Sequence, residues 1–207
     1  MYHSNRFITL LLSLFLSTAL LAQHKTGQAF SLAITNHQSA YPFNKLGALI
    51  AKEKHLGFEV GYAFNWMTGK KHDWSQTFKA GYFYHRFVQH AIPIYTQLGY
   101  QYKLKEHWRF GTALGAGYLH SIPDMTVLSR NEAGDYEKDN VIGRPQVLIN
   151  LTFHAQYNFK WNAQKQLAVF LQYQQQLQTP FINSYVPLLP YNALGVGVKM
   201  PIKNAGL

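Results

Sequence analysis

The chain has 207 residues, with 19 Lys and Arg against 9 Asp and Glu, a formal net charge of +10 and no cysteine. Only 14% of the residues are charged, whereas 15% are aromatic. This composition excludes a fold held by disulfides. It also argues against a nucleic-acid-binding protein, whose basic residues would be concentrated in one patch. The positive excess suits an acidic partner such as the phosphates of lipopolysaccharide.

The N-terminus is typical of an export signal. Arg6 precedes an apolar run at 7–22, FITLLLSLFLSTALLA. This run is shorter than the ~20 residues that a membrane-spanning helix needs. We therefore predict a signal peptide at 1–22 that is cleaved after Ala22, with cleavage after Ala19 or an uncleaved anchor as alternatives. The exported part, 23–207, is predicted to be a single domain.

The first strand has two candidates. In the run 27–35, Phe30, Leu32 and Ile34 alternate with small or polar residues, which is the period of a β-strand. A second and less regular run follows at 43–51. The sequence does not decide which of the two is the first strand.

The rest of the chain alternates more clearly, with large apolar residues on one face and Gly, Gln or other polar residues on the other. The alternating runs lie at 55–66, 74–85, 91–103, 108–121, 144–159, 166–178 and 191–202. With one N-terminal strand they predict an all-β fold, an eight-stranded antiparallel up-and-down transmembrane β-barrel. The alternative is a soluble lipocalin-like or sandwich protein with its apolar face inside.

The connections and the tryptophans predict how the barrel is oriented. The turns at 68–73, 105–107 and 160–165 are short, whereas the connections at 122–143 and 179–190 are long and rich in Pro, Asp and Asn. In outer-membrane barrels short turns face the periplasm and long loops face the exterior. An aromatic girdle is predicted at the periplasmic end, formed by Trp66, Trp74, Trp108 and Trp161.

The polar face of the runs predicts the content of the lumen. An eight-stranded barrel is only wide enough for side chains, so we expect a hydrogen-bonded polar plug. We expect one carboxylate in this plug, against several cations. The predicted plug residues are Glu59, Lys79, Lys103, Arg109, His154 and Lys199. A narrow transport path is the alternative interpretation.

A second polar group lies at the predicted extracellular ends of the strands. It includes His55, and its binding candidates are His85, Arg86, His90 and Asp124. His120 and Ser121 are the candidates for catalysis, but adjacent strand residues point to opposite faces. The spacing of the histidines matches no metal-binding signature, so neither a metal nor another cofactor is expected.

The signal sequence followed by alternating strands resembles the small outer-membrane β-barrel proteins of Gram-negative bacteria, in the broad OmpA/OmpX-type class. YFYHRFVQHAIPIYTQLGYQY at 82–102 and YVPLLP at 185–190 look like an uncharacterised subgroup of this class. The chain departs from the class because 203–207 follow the last strand, where the class ends on an aromatic residue.

The resemblance implies an outer-membrane location and lipid, lipopolysaccharide or an envelope protein as partners. The sequence favours a non-enzymatic barrel with a structural or surface-binding role. Two alternatives stay open. One is a lipid-modifying enzyme that uses the rim His and Ser residues, because lipid A deacylases and palmitoyltransferases are also eight-stranded barrels. A narrow transport or accessory barrel is the other.

Overall fold

The computed structural model of the chain describes residues 27–39, 41, 47–51, 54–130, 134–139, 142–162, 165–181 and 187–202. The predicted signal peptide at 1–22 lies outside these ranges. Within them, no helix combines the length and the hydropathy required to cross a membrane.

Eight long strands form a closed antiparallel barrel, which confirms the predicted fold class. They are β1 (Gln28–Ser39), β2 (Leu56–Thr68), β3 (His72–His85), β4 (Gln89–Lys103), β5 (Trp108–Pro123), β8 (Arg144–Asn162), β9 (Lys165–Thr179) and β10 (Leu189–Ile202). Each strand pairs with its neighbour along the barrel, and β1 pairs with β10 to close the wall. The register of this closing pair runs from Gln28 opposite Ile202 to Ser39 opposite Tyr191.

The first of the two N-terminal candidate runs is the first barrel strand. β1 begins at Gln28 and continues to Ser39, further than the alternation at 27–35 predicted. The run at 43–51 contributes no described strand. Its last four residues form the short helix α1 (Ala48–Ala51), and 42–46 lie outside the described residues.

Side chains alternate between an exposed outer wall and a buried lumen, as the sequence predicted. Ile34 and Leu114 on the outer wall are 68% and 62% exposed, whereas Ala33 on the lumen side is 3% exposed. Phe64 is a local exception because it is on the outer face yet buried. The rings of Trp66 and Phe78 cover it, with centroid distances of 6.4 and 6.0 Å.

The connections define two ends of the barrel. At the end that we call the turn end, β2 and β3 are joined by 69–71 and β4 and β5 by 104–107. At the opposite end, the loop end, β3 and β4 are joined by 86–88 and β5 and β8 by a long segment. That long segment was predicted to be irregular. The structure places a hairpin in it, formed by β6 (Val127–Arg130) and β7 (Tyr136–Asp139), whose strands are too short to give a visible alternation.

Candidate functional site

The centre of the lumen is organised around the carboxylate of Glu59. This side chain is 4% exposed because it projects inward from β2. Its Oε2 lies 3.4 Å from Lys79 Nζ and accepts hydrogen bonds from Gln172 Nε2 at 2.7 Å and Gln174 Nε2 at 2.9 Å. The Tyr95 hydroxyl donates to Oε1. These contacts come from three other strands, so one buried charge joins β2 to β3, β4 and β9.

A second buried carboxylate, Asp73, corrects the expectation that Glu59 is the single carboxylate of the lumen. Asp73 was assigned to the turn at 68–73, but β3 begins at His72 and Asp73 is 3% exposed. Its oxygens lie 2.8 Å from Lys103 Nζ and 3.8 Å from Arg109 Nη1. Two of the predicted lumen cations are therefore paired at the turn end of the barrel.

The remaining predicted lumen residues, His154 and Lys199, line a cavity in the turn-end half of the barrel. His154 Nε2 lies 3.2 Å from Gln101 Nε2. The imidazole packs over Gly111, where an added Cβ would lie 2.5 Å from His154 Cε1. Gly111 therefore provides the room in which the imidazole lies against the opposing strand.

Toward the loop end, large apolar side chains pack together inside the lumen. Phe83, Tyr95, Leu119, Leu148 and Tyr191, together with Ala91, form a buried cluster that we call the apolar layer. The edge of the Tyr191 ring meets Phe83 at a centroid distance of 5.5 Å. The alternation of the runs predicted a lumen face of polar or very small residues, so this layer was not predicted.

Amide side chains lie beside the apolar layer. Gln89 and Gln178 are fully buried and exchange hydrogen bonds at 2.8 and 3.0 Å. Gln89 also donates to the Tyr191 hydroxyl at 3.2 Å and accepts a hydrogen bond from Ser121. Gln178 donates to Gln146 on β8. This network pairs most of the polar atoms of these side chains, which would otherwise be costly to bury, and leaves Gln146 Nε2 without a hydrogen bond among the described residues.

His37 is a further buried residue that the sequence analysis did not single out. It is 1% exposed, stacks on Phe83 at a centroid distance of 3.9 Å, and lies 3.0 Å from the Thr35 hydroxyl. The extension of β1 beyond 35 places it in the lumen. Residues 36–39 are Asn, His, Gln and Ser, so no apolar alternation marks the extension of the strand. The period of two, counted onward from Thr35, was the signal that could have found His37.

The loop-end rim brings two of the binding candidates together. Asp124 Oδ1 lies 3.4 Å from His90 Nε2, and Asp124 Oδ2 accepts hydrogen bonds from the Phe87 amide at 2.7 Å and the Tyr84 hydroxyl at 3.0 Å. The Phe87 amide, followed by Tyr84 and His90, holds the pKa of the Asp124 carboxyl below its usual range, against a smaller opposing effect of burial. Asp124 thus ties the turn between β3 and β4 to the end of β5.

The other rim candidates lie apart from this group. His85 stacks on His55 at a centroid distance of 3.7 Å and lies 3.3 Å from the Ser39 hydroxyl. The Arg86 guanidinium lies 4.6 Å from the centre of the Phe87 ring. No described group of three or more His, Cys, Asp and Glu side chains is arranged to hold a metal ion.

His120 and Ser121 are not a catalytic pair in this geometry. Ser121 is fully buried on the lumen side and donates its hydroxyl hydrogen bond to Gln89. The partners of His120 are the Tyr118 hydroxyl at 2.8 Å and the Ile142 carbonyl at 3.2 Å. The alternation of the strand directs the two side chains to opposite faces.

Three of the predicted girdle residues lie on the outer wall at the turn end. Trp66, Trp74 and Trp108 are 39%, 48% and 45% exposed. Trp66 has no residue opposite it, because the register shifts between Asn65 and Met67. Trp161 belongs to the last turn-end residues of β8, but its side chain lies outside the described part of the chain.

Comparison with known proteins identifies the fold and nothing finer. No known protein family and no curated protein matches the chain. The structure is similar to that of Neisserial surface protein A, with 8% identity, a TM-score of 0.51, and coverage of 84% of this chain and 95% of that chain. A de novo designed transmembrane β-barrel matches with 9% identity, a TM-score of 0.46 and coverage of 87% and 98%. The attachment invasion locus protein Ail of Yersinia pestis, solved with the heparin analogue sucrose octasulfate, matches with 13% identity, a TM-score of 0.44 and coverage of 86% and 99%.

The class that the architecture defines is the small eight-stranded transmembrane β-barrel. The structural neighbours are small outer-membrane barrels, which confirms the resemblance stated from the sequence. At these identities the likeness concerns the fold alone.

Proposed function

We propose that the chain is an integral protein of the bacterial outer membrane that contributes to envelope structure or binds partners through its loop end, and that it catalyses no reaction. The observation that carries this proposal is the combination of an exposed apolar wall with a lumen closed by the apolar layer. A wall with Ile34 and Leu114 exposed is unfavourable in water and favourable in lipid. Phe83, Leu119 and Leu148 are buried together inside the lumen, where such side chains would obstruct the passage of solutes.

We propose that the turn end faces the periplasm and the loop end faces the exterior. Short turns and a tryptophan girdle at the turn end support this orientation. Arg86 and Lys54 are exposed at the loop end, where cations would meet the phosphates of lipopolysaccharide. Membrane lipid, lipopolysaccharide and an envelope protein are the partners that we propose.

The closed lumen is tested by conductance. The purified chain in a planar lipid bilayer should give no stable ion current, because the apolar layer would obstruct the lumen. A Phe83→Gly, Leu119→Gly, Leu148→Gly variant removes most of the layer and should give discrete current steps. The matched control, Leu98→Gly, Leu114→Gly, Ile149→Gly, shortens side chains on the outer wall and should stay silent. A steady current through the unmodified chain would contradict the proposal.

The proposed location and the absence of an enzymatic role need separate experiments. The chain should sediment with outer-membrane vesicles and run faster on a gel when it is not heated, as a stable barrel does. Lipid A from a deletion strain should have an unchanged mass spectrum. Recovery of the chain as a soluble periplasmic protein would overturn the location, and a shift in lipid A mass would overturn the non-enzymatic role.

A further inference from the structure

The turn-end half of the lumen contains a built cavity that the proposed envelope role does not use. We propose that this cavity binds a phosphate-sized oxyanion, held by Lys199 together with Lys79 and His154. The proposal does not depend on where the barrel resides, since it concerns the interior of the folded chain.

The cavity exists because small residues face inward from several neighbouring strands. It has a volume of about 70 Å³ and is lined in part by Ser31, Ala63, Ser75, Gly99 and Ala113. These side chains are small, so they leave space beside the Glu59 network, of which Lys79 and Gln172 also line the cavity. The space is large enough for one phosphate or sulfate ion or a few waters.

A second cavity connects this space to the turn end. It has a volume of about 110 Å³, shares Gln101, Gln156 and Lys199 with the first cavity, and extends to Gln28 and Arg109. Lys199 therefore lies where the two cavities meet. A small ion that enters from the turn end would reach Lys199 without passing the apolar layer.

Charge within the described lumen is not balanced. Lys79 is paired with Glu59, while Lys103 and Arg109 share Asp73. Lys199 forms no ion pair with any carboxylate of the described residues. Two carboxylates thus face four cations, and the cation without a partner is the one that projects into the cavity.

An enclosed cation without a counter-ion is costly, because the barrel interior solvates it less well than bulk water does. A tetrahedral oxyanion would offset this cost and offers several acceptor atoms. The donors that line the cavity are the ammonium groups of Lys79 and Lys199, the imidazole of His154 and the hydroxyl of Ser75. The amides of Gln97 and Gln101 and the hydroxyl of Thr152 donate instead to neighbouring lumen side chains. The cavity therefore combines charge, donors and space for one anion.

Inorganic phosphate is the probe for the test. The full chain, folded in a non-ionic detergent at low ionic strength, should bind phosphate at one saturable site in a calorimetric titration. Lys199→Gln should weaken the affinity by about tenfold or more, because it removes a charge-assisted contact. The control Lys70→Gln removes an exposed lysine from the turn that joins β2 and β3 and should leave the affinity unchanged.

A second measurement needs no variant. Phosphate should slow acetylation of Lys199 in the unmodified chain, measured by mass spectrometry, while acetylation of Lys70 serves as the internal reference. The proposal is overturned if no saturable binding occurs, if Lys199→Gln and Lys70→Gln bind phosphate equally, or if phosphate does not protect Lys199.

Discussion

Glu59 is the residue on which the interior depends most. Glu59→Gln keeps the shape of the side chain but leaves the ammonium of Lys79, which is 10% exposed, without its carboxylate. Breaking a buried pair in this way should lower the free energy of unfolding by about 3 kcal/mol. The measurement is urea unfolding of the barrel in lipid vesicles, followed by tryptophan fluorescence.

Two further variants show whether the loss of charge causes the loss of stability in Glu59→Gln. Glu106→Gln removes an exposed carboxylate from the turn between β4 and β5 and should leave the urea midpoint unchanged. Glu59→Gln combined with Lys79→Met removes both charges and should recover part of the lost stability. If Glu59→Gln and Glu106→Gln had the same midpoint, Glu59 would not have the role assigned to it.

Individual lumen residues could be predicted from the sequence where the alternation was unbroken. Glu59, Lys79 and Gln172 occupy the polar positions of long regular runs, so their inward direction followed from the period of two. The apolar layer has the same parity, since Phe83, Leu119 and Leu148 stand at inward positions. It was missed because an inward apolar residue contradicts the pattern of a polar lumen. In the folded barrel these inward apolar side chains pack against one another near the loop end, where the pattern predicted polar residues.

At the scale of elements, Asp124 fixes the turn between β3 and β4. In this turn Phe87 has a positive φ of 63°, a conformation that costs a residue with a side chain about 1 kcal/mol or more. The hydrogen bond from the Phe87 amide to Asp124 stabilises this backbone conformation. Asp124→Ala should therefore increase amide exchange at 87–88 while leaving the barrel strands protected, as hydrogen exchange would measure. Phe87→Gly should leave the unfolding midpoint unchanged or raise it.

The same turn should respond to pH. The lowered pKa of Asp124 means that its contribution to stability is present at neutral pH and is lost only as the pH falls below the usual range of aspartate, about 3.9. The Phe87 amide proton, followed by NMR, should shift as the pH is lowered from about 6 to about 2. In Asp124→Asn the shift should be absent. A shift centred above the usual aspartate range would contradict the assigned cause.

The ends of a strand were predicted best where one face stayed apolar and the other stayed polar or small along its whole length. The hairpin of β4 and β5 lies almost where the runs at 91–103 and 108–121 placed it, because nearly every second residue there is apolar. The start of β3 was misplaced, since His72 and Asp73 resemble turn residues until the pairing of Asp73 with Lys103 is known. The hairpin of β6 and β7 is held by pairing between short segments, which leaves no period to detect.

At the scale of the whole molecule, the lipid-facing wall gives a depth-dependent prediction. Leu114 lies in the middle of β5 and is 62% exposed, whereas Met67 lies near the turn end of β2 and is 63% exposed. In a bilayer Leu114→Arg should reduce the folding free energy by about 2–4 kcal/mol, and Met67→Arg by about 0–1 kcal/mol. Folding titrations in vesicles measure both. Equal and small effects would indicate that the wall faces water.

The pairing of β1 with β10 has a consequence for how the barrel can form. Residues from nearly opposite ends of the described chain meet in this pair, so the wall acquires its last hydrogen bonds only when the final strand arrives. A chain that stops before β10 would leave two open strand edges, which template pairing with other chains. Before the last strand is made, the chain can form only an open sheet that is prone to aggregate, and afterwards the barrel wall has no free strand edge. An assembly machinery would therefore have to hold the nascent chain until β10 pairs with β1.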